Sequence, residues 1–169
     1  MKTLILGLGN PILTDDGVGV RVAEALRAAL PPDTSIDVSE ACVGGLGLME
    51  RLVGYDRVIL IDALHDAEWA WPDSTGYGPP GTIHRLTLDD LRTISPTQHS
   101  ASAHDTNLVT ALEMGARMGL YLPQEIIIYG IVVENIIDFG DEPTPAVKRA
   151  IPEVTAAVLA ILSETAPEP

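Results

Sequence analysis

Cysteine, phenylalanine and positive charge are scarce here: 169 residues hold one cysteine, one phenylalanine and ten basic side chains. A lone Cys42 excludes an intrachain disulfide, so the fold needs no oxidising compartment. With no obvious electropositive neighbour, Cys42 reads as a small buried residue rather than a nucleophile. Ten basic against 24 acidic residues leave a formal net charge of -14. Such a surface repels phosphate backbones and anionic lipid headgroups, which disfavours nucleic acid and membranes as partners. No run approaches the roughly 18 apolar residues of a membrane span. The opening stretch from Met1 to Gly7 has one lysine and an apolar run too short for a signal peptide, so it reads as a buried strand and the expected compartment is the cytoplasm. Aromatics are only 4%, which leaves Val, Ile, Leu and Ala to fill one core, and a single domain over residues 1–169 is expected.

Apolar runs of strand length alternate with stretches of helical period, the signature of βαβ units. Leu4 to Leu8 reads as a continuous apolar strand, turning at Gly9-Asn10-Pro11. Val18, Val22, Leu26 and Leu30 then recur every four residues along one helix face, which Pro31-Pro32 ends. Ser35 to Ala41 reads as a second strand, and Leu46 to Val53 as a short helix after Gly44-Gly45. Val58 to Ile61 is apolar throughout, as a central parallel strand covered on both faces should be, and is expected to end at Asp62. Glu68 to Gly81 reads as an irregular loop and Thr82 to Leu88 as an alternating edge strand. A helix from Asp105 to Met118, a buried strand around Ile126 to Val132 and an amphipathic helix from Pro145 to Ser163 complete the chain. The last helix has Val147, Ile151, Val154, Val158 and Ile161 as its stripe. The fold class that follows is α/β: a three-layer αβα sandwich around a mostly parallel sheet. In such sheets ligands bind beyond the carboxyl ends of the strands, where the winding reverses.

The segment Gly7-Leu8-Gly9-Asn10 through Asp15-Asp16-Gly17-Val18-Gly19 follows a strand and opens a helix. It fails as a dinucleotide motif. Ile12 stands where a third glycine belongs, and two aspartates at the helix start would repel a pyrophosphate. Acids there can satisfy orphan N–H groups, which is the reading kept for Asp15. Asp16 is open to a second role, because it lies beside the expected crevice. Asp62, after the third strand, would face it if those strands are neighbours, and two close carboxylates call for a positive partner such as a divalent cation. Among four histidines, His84 and His99 read as exposed. His65, three residues past Asp62, and His104, before a helix, both could supply an imidazole. Two carboxylates and an imidazole suit borderline divalent metals and leave coordination positions open. No HExxH, CxxC or GxSxG motif is present.

The chain resembles the hydrogenase maturation endopeptidases over nearly its whole length. The likeness rests on Gly7-x-Gly9-Asn10-x-x-x-x-Asp15-Asp16-Gly17-x-Gly19, on Gly54-Tyr55-Asp56-Arg57-Val58-Ile59-Leu60-Ile61-Asp62-Ala63, on Ser102-Ala103-His104-Asp105 and on Gly130-Ile131. The resemblance implies an endopeptidase that removes the C-terminal extension of a nickel-loaded hydrogenase large-subunit precursor. It also implies a nickel-recognising site of Asp16, Asp62 and His104, preferring His104 to His65, with nickel delivered by the precursor. Where the family usually has Asp-Gly-Gly-Thr at the end of the second strand, this chain has Glu40-Ala41-Cys42-Val43. Glu40 keeps a carboxylate, so Asp16 or Glu40 could be the general base of a carboxylate- or metal-assisted hydrolysis. A non-catalytic metal-binding assembly module for the same precursor is the alternative. A peptidyl-tRNA hydrolase, which also opens on Gly-x-Gly-Asn-Pro, is opposed by Asp15-Asp16 and the net charge.

Overall fold

The computed structural model describes residues 1–32, 35–65, 77–94 and 108–164. Strand β1 (Thr3–Leu8) is buried at every position, which a strand without polar alternation requires. It is followed by α1 (Val18–Ala29), β2 (Ile36–Ala41), α2 (Gly45–Leu52) and β3 (Arg57–His65). After β4 (Ile83–Leu86) come α3 (Leu88–Ile94), α4 (Leu108–Arg117), β5 (Glu125–Val133) and α5 (Pro145–Glu164). The five strands lie in the order β2-β1-β3-β5-β4. All pairs are parallel except β4 with β5. The sheet winds outward from β1 to β2, then back across to β3, so the reversal falls between β1 and β3.

Alternation along the strands sorts the core into two layers. Ile5, Ile59, Ile61 and Ile127 pack with Val22 and Leu26 of α1 and Val154 and Val158 of α5. Leu4, Leu6, Leu60 and Ile128 pack with Leu48 and Leu52 of α2 and Leu108 and Leu112 of α4. The result is an αβα sandwich, as the sequence pattern implies. No helix among the described residues is long and apolar enough to cross a membrane.

The lower edge of the sheet, where the parallel strands begin, is tied by exposed polar groups. The Lys2 backbone N–H donates to Asp56 at 2.5 Å, and the Tyr121 hydroxyl donates to the same carboxylate. The Tyr121 hydroxyl, then the Lys2 backbone, hold the Asp56 carboxyl below its ordinary value. Tyr55 donates to Asp37 at 2.8 Å while the Lys2 ammonium lies 4.3 Å from the Tyr55 ring centre.

Three elements depart from the sequence reading. Strand β3 does not stop at Asp62 but runs on to His65, because nine-residue β5 continues beside it to the pair His65↔Val133. Helix α3 is an element the periodicity does not announce. Its signal is a capping box: Thr87 Oγ1 accepts from Asp90 N at 3.3 Å while Thr87 N donates to the Asp90 carboxylate at 2.7 Å. In α5 the buried stripe is Val147, Ala150, Val154, Val158 and Leu162. Ile151 and Ile161 sit at its partly exposed margin. The helix also carries Pro152 in its interior, on its exposed side. The loop expected over Glu68 to Gly81 falls mostly outside the described residues, as does the start of the helix expected from Asp105.

Candidate active site

The glycines of the opening motif let two backbones touch. A Cβ on Gly19, in the first turn of α1, would lie 2.2 Å from the Ile61 carbonyl oxygen and 2.4 Å from that of Leu8. One on Gly7 would lie 2.2 Å from the Gly19 carbonyl oxygen. Gly9 has φ +123°, and a Cβ there would meet the Asp16 carbonyl oxygen at 1.9 Å. No other residue fits these positions, because the obstructing atoms are main chain and cannot swing aside. The glycines therefore seat α1 directly on the ends of β1 and β3, at the reversal in winding.

This seating fixes the two aspartates, with different results. Asp15 is fully buried. It does not cap α1, whose N-cap is Gly17 with no side-chain hydrogen bond, contrary to the sequence reading. Its carboxylate reaches across the chain instead. It accepts from Asn135 N at 3.0 Å, Glu134 N at 3.3 Å, Thr144 N at 2.7 Å and the Thr144 hydroxyl at 3.2 Å. Those donors flank the loop between β5 and α5, so Asp15 is a latch joining that loop to the β1–α1 loop. Asp16 is only half-buried and folds back, one oxygen accepting from Asn10 N at 2.6 Å. Nothing in the sequence separates the two acids except position. The latch depends on a partner about 120 residues away.

Asp62 is 1% exposed and its Oδ1 accepts from Ala63 N at 2.9 Å. It follows the register pair Gly7↔Ile61, which sets it level with Leu8 at the upper end of β1. Adjacent strands lie about 4.8 Å apart, so Asp62 lies beside the point where β1 gives way to the loop that carries Asp16. Alternation with Leu60 places Asp62 on the α2/α4 face. Helix α4 starts on the same face and at the same end. Its C-terminal end leads to the start of β5, where Gly54 N donates to Tyr121 O at 2.9 Å, so its N-terminal end points upward. His104, four residues before the first described residue of α4, lies outside the described residues, as does His99.

The other candidates are placed elsewhere. His65 pairs with Val133, which faces the α1/α5 core, so His65 sits on the opposite face from Asp62. His84 shares a register row with Gly130 and Asp62. It is half-buried rather than exposed, with Nε2 2.6 Å from the Tyr77 carbonyl oxygen. A Cβ on Gly130 would meet Leu64 Cδ1 at 2.3 Å, so the Leu64 side chain stands between His84 and Asp62. Glu40 alternates with Val38 onto the α1 face and forms an ion pair with Arg27, which also donates to Val38 O at 3.1 Å. The structure does not bring Glu40 together with Asp62. Cys42 is exposed rather than buried, because β2 ends at Ala41 and the chain leaves the core there. Among the described residues no three His, Cys, Asp or Glu side chains gather to hold a metal.

A buried carboxylate and a half-buried one at the switch point of a parallel sheet form a site for polar chemistry. Comparison with known proteins identifies its lineage. The sequence profile of the hydrogenase maturation protease family, HycI, matches residues 20–161. The chain belongs to the hydrogenase maturation protease family. Maturation proteases are endopeptidases, and the reading as a non-catalytic assembly module is not favoured. The hydrogenase 2 maturation protease of Escherichia coli is 27% identical over 172 residues, covering 99% of this chain and 94% of that protein. Hydrogenase expression/formation protein HupD of Thiocapsa roseopersicina is 27% identical over 164 residues, covering 96% of this chain and 68% of that protein. Among solved structures, the hydrogenase maturating endopeptidase HybD from E. coli superposes with a TM-score of 0.77 at 26% identity, over 98% of this chain and 94% of that one.

Proposed function

We propose that this maturation protease cuts one peptide bond near the C-terminus of a hydrogenase large-subunit precursor, releasing its tail, and that it recognises nickel carried by that precursor. The observation behind this reading is that Asp62, within β3, lies level with the upper end of the adjacent strand β1, whose following loop carries Asp16, in a chain of this family. With His104 they would offer two carboxylates and an imidazole, a donor set suited to a borderline divalent ion, with positions left for the precursor's own ligands. The ion would bring positive charge next to the scissile carbonyl. Asp62, buried and fixed within β3, holds its carboxylate in one direction. Asp16, half-open to solvent, is the better placed general base: it takes a proton from water as the oxygen adds to the carbonyl, and the amine leaves with a proton. Glu40, the other candidate base, is neutralised by Arg27 on the far side of the sheet. The reaction is placed in the cytoplasm, where a free exposed thiol such as Cys42 stays reduced.

The test is incubation of the purified protein with nickel-loaded precursor, read by mass spectrometry as loss of the tail. Asp62→Asn is expected to lower the rate by about a hundredfold or more while the far-ultraviolet dichroism stays unchanged. Normal processing by a folded Asp62→Asn protein would remove Asp62 from the site.

A further inference from the structure

The loops between β1 and α1 and between β5 and α5 are laced together. Leu13 and Phe139 form an isolated antiparallel bridge. Thr14 donates to Asp138 O through its backbone N–H at 3.0 Å and its hydroxyl at 2.8 Å, and Gly140 N donates to Ile12 O at 3.1 Å. The buried Asp15 latch lies beneath. Two loops held this way form a rigid ledge, and the ledge displays apolar side chains to water. Ile12 is 58% exposed, Ile137 82% and Phe139 79%, and Phe139 is the chain's sole phenylalanine. Large apolar groups clustered on rigid backbone mark interaction surfaces in folded proteins.

The surroundings say what would cover it. The segment 134–142 carries Glu134, Asp138, Asp141 and Glu142. Lys148 pairs with Glu142 and Arg21 donates to the Asp141 carbonyl oxygen, so Glu134 and Asp138 are the acids that border the apolar groups. A recess of about 600 Å3 is lined in part by Glu134, Ile137 and Asp138. A second copy of this chain would bring the same acids face to face across a two-fold contact, which electrostatics opposes. An apolar segment carrying lysine or arginine complements both features. The ledge also runs directly into the candidate site, since Asn10, at its near end, donates its N–H to Asp16.

We propose that Ile12, Ile137 and Phe139 form the docking ledge for the hydrogenase precursor, taking an apolar, basic segment whose cations meet Glu134 and Asp138. The proposal rests on the precursor-peptidase reading above. Binding here leaves the chemistry at Asp16 and Asp62 unchanged and sets how firmly the precursor is held while its tail is cut.

The experiment uses the full chain and nickel-loaded precursor, measuring binding by titration and tail removal by steady-state kinetics. For the double variant Ile137→Ser/Phe139→Ser, KM is expected to rise about tenfold or more with kcat within about twofold and an unchanged thermal midpoint. Glu134→Gln should flatten the dependence of KM on salt, because one long-range attraction is gone. An unchanged KM in the double variant overturns the proposal. So does a fall in kcat alone, or a wild-type dimer that the double variant converts to monomer, which would make the occupant a second copy. Wild-type protein that binds precursor at this ledge without cutting it would sink the peptidase reading and leave the docking surface standing. Failure of wild-type protein to bind the precursor at all removes both.

Discussion

At the lower edge of the sheet Asp56 is a solvent-side carboxylate held by Lys2 and Tyr121, both more than fifty residues away in the chain, whereas at the upper edge Asp62 is 1% exposed inside a central strand. Asp56 immediately precedes β3 and Asp62 lies within it, six residues on. The Lys2 backbone and the Tyr121 hydroxyl satisfy Asp56 where water could do the same work. Asp62 lies out of water, where a carboxylate has to rely on fixed protein donors such as the Ala63 N–H. Parallel sheets separate these tasks by geometry, since helix N-termini and strand ends converge on one edge only. Here the lower edge closes the fold and the upper edge holds the candidate site.

Substitutions can break that division, beginning with the most damaging. Gly19→Ala drives a methyl into the carbonyl oxygens of Leu8 and Ile61. With backbone on both sides the cost exceeds the usual overpacking of about 1–3 kcal/mol, and the expected outcome is little folded protein, checked by soluble yield and dichroism. Asp15→Ala leaves the buried donors at Asn135 and Thr144 without their acceptor. A loss of about 3 kcal/mol is expected, equivalent to roughly 6–12 °C in thermal midpoint for a chain of this size.

Smaller effects sharpen the contrast. Glu40→Gln removes an ion pair with Arg27 at a partly exposed site, so less than about 1 kcal/mol should be lost, and processing should stay within about twofold. A much larger loss of processing at unchanged stability would restore Glu40 as the general base. The least effect is expected at the lower edge. Because Tyr121 and Lys2 depress the folded-state value of Asp56, its contribution is present above the unfolded carboxylate range, about 4. It is lost as pH falls through that value toward the lower folded one. Asp56→Asn should therefore flatten the fall of the thermal midpoint with acid in that window, without altering cleavage at neutral pH.

Much of the fold was legible because its signals are local. Continuous runs such as Leu4 to Leu8 announce strands covered on both faces, and the four-residue spacing of Val18, Val22 and Leu26 announces the helix between them. The elements misjudged depend on distant partners. Asp62 reads as a strand stop until β5 is seen to run beside it to Val133. Asp15 reads as a helix cap until the β5–α5 loop folds over it. Helix α3 was visible in Thr87-Leu88-Asp89-Asp90, but a capping signal without a long periodic stretch behind it is easily missed. For the candidate site, the sequence nominated the acids, and strand order puts Asp16 and Asp62 at the same edge of the sheet while Glu40 and His65 lie on its other face.

The seat of α1 on β1 and β3 has a consequence for how such a protein can change over time. Asp16 takes its location from main-chain atoms pressed against main-chain atoms, not from the side chains around it. Residues on the outward surface of α1 can therefore be exchanged freely while the acid stays where it is. Only the glycines under the helix are irreplaceable, and a single methyl added there would move the site more than rewriting the whole solvent side.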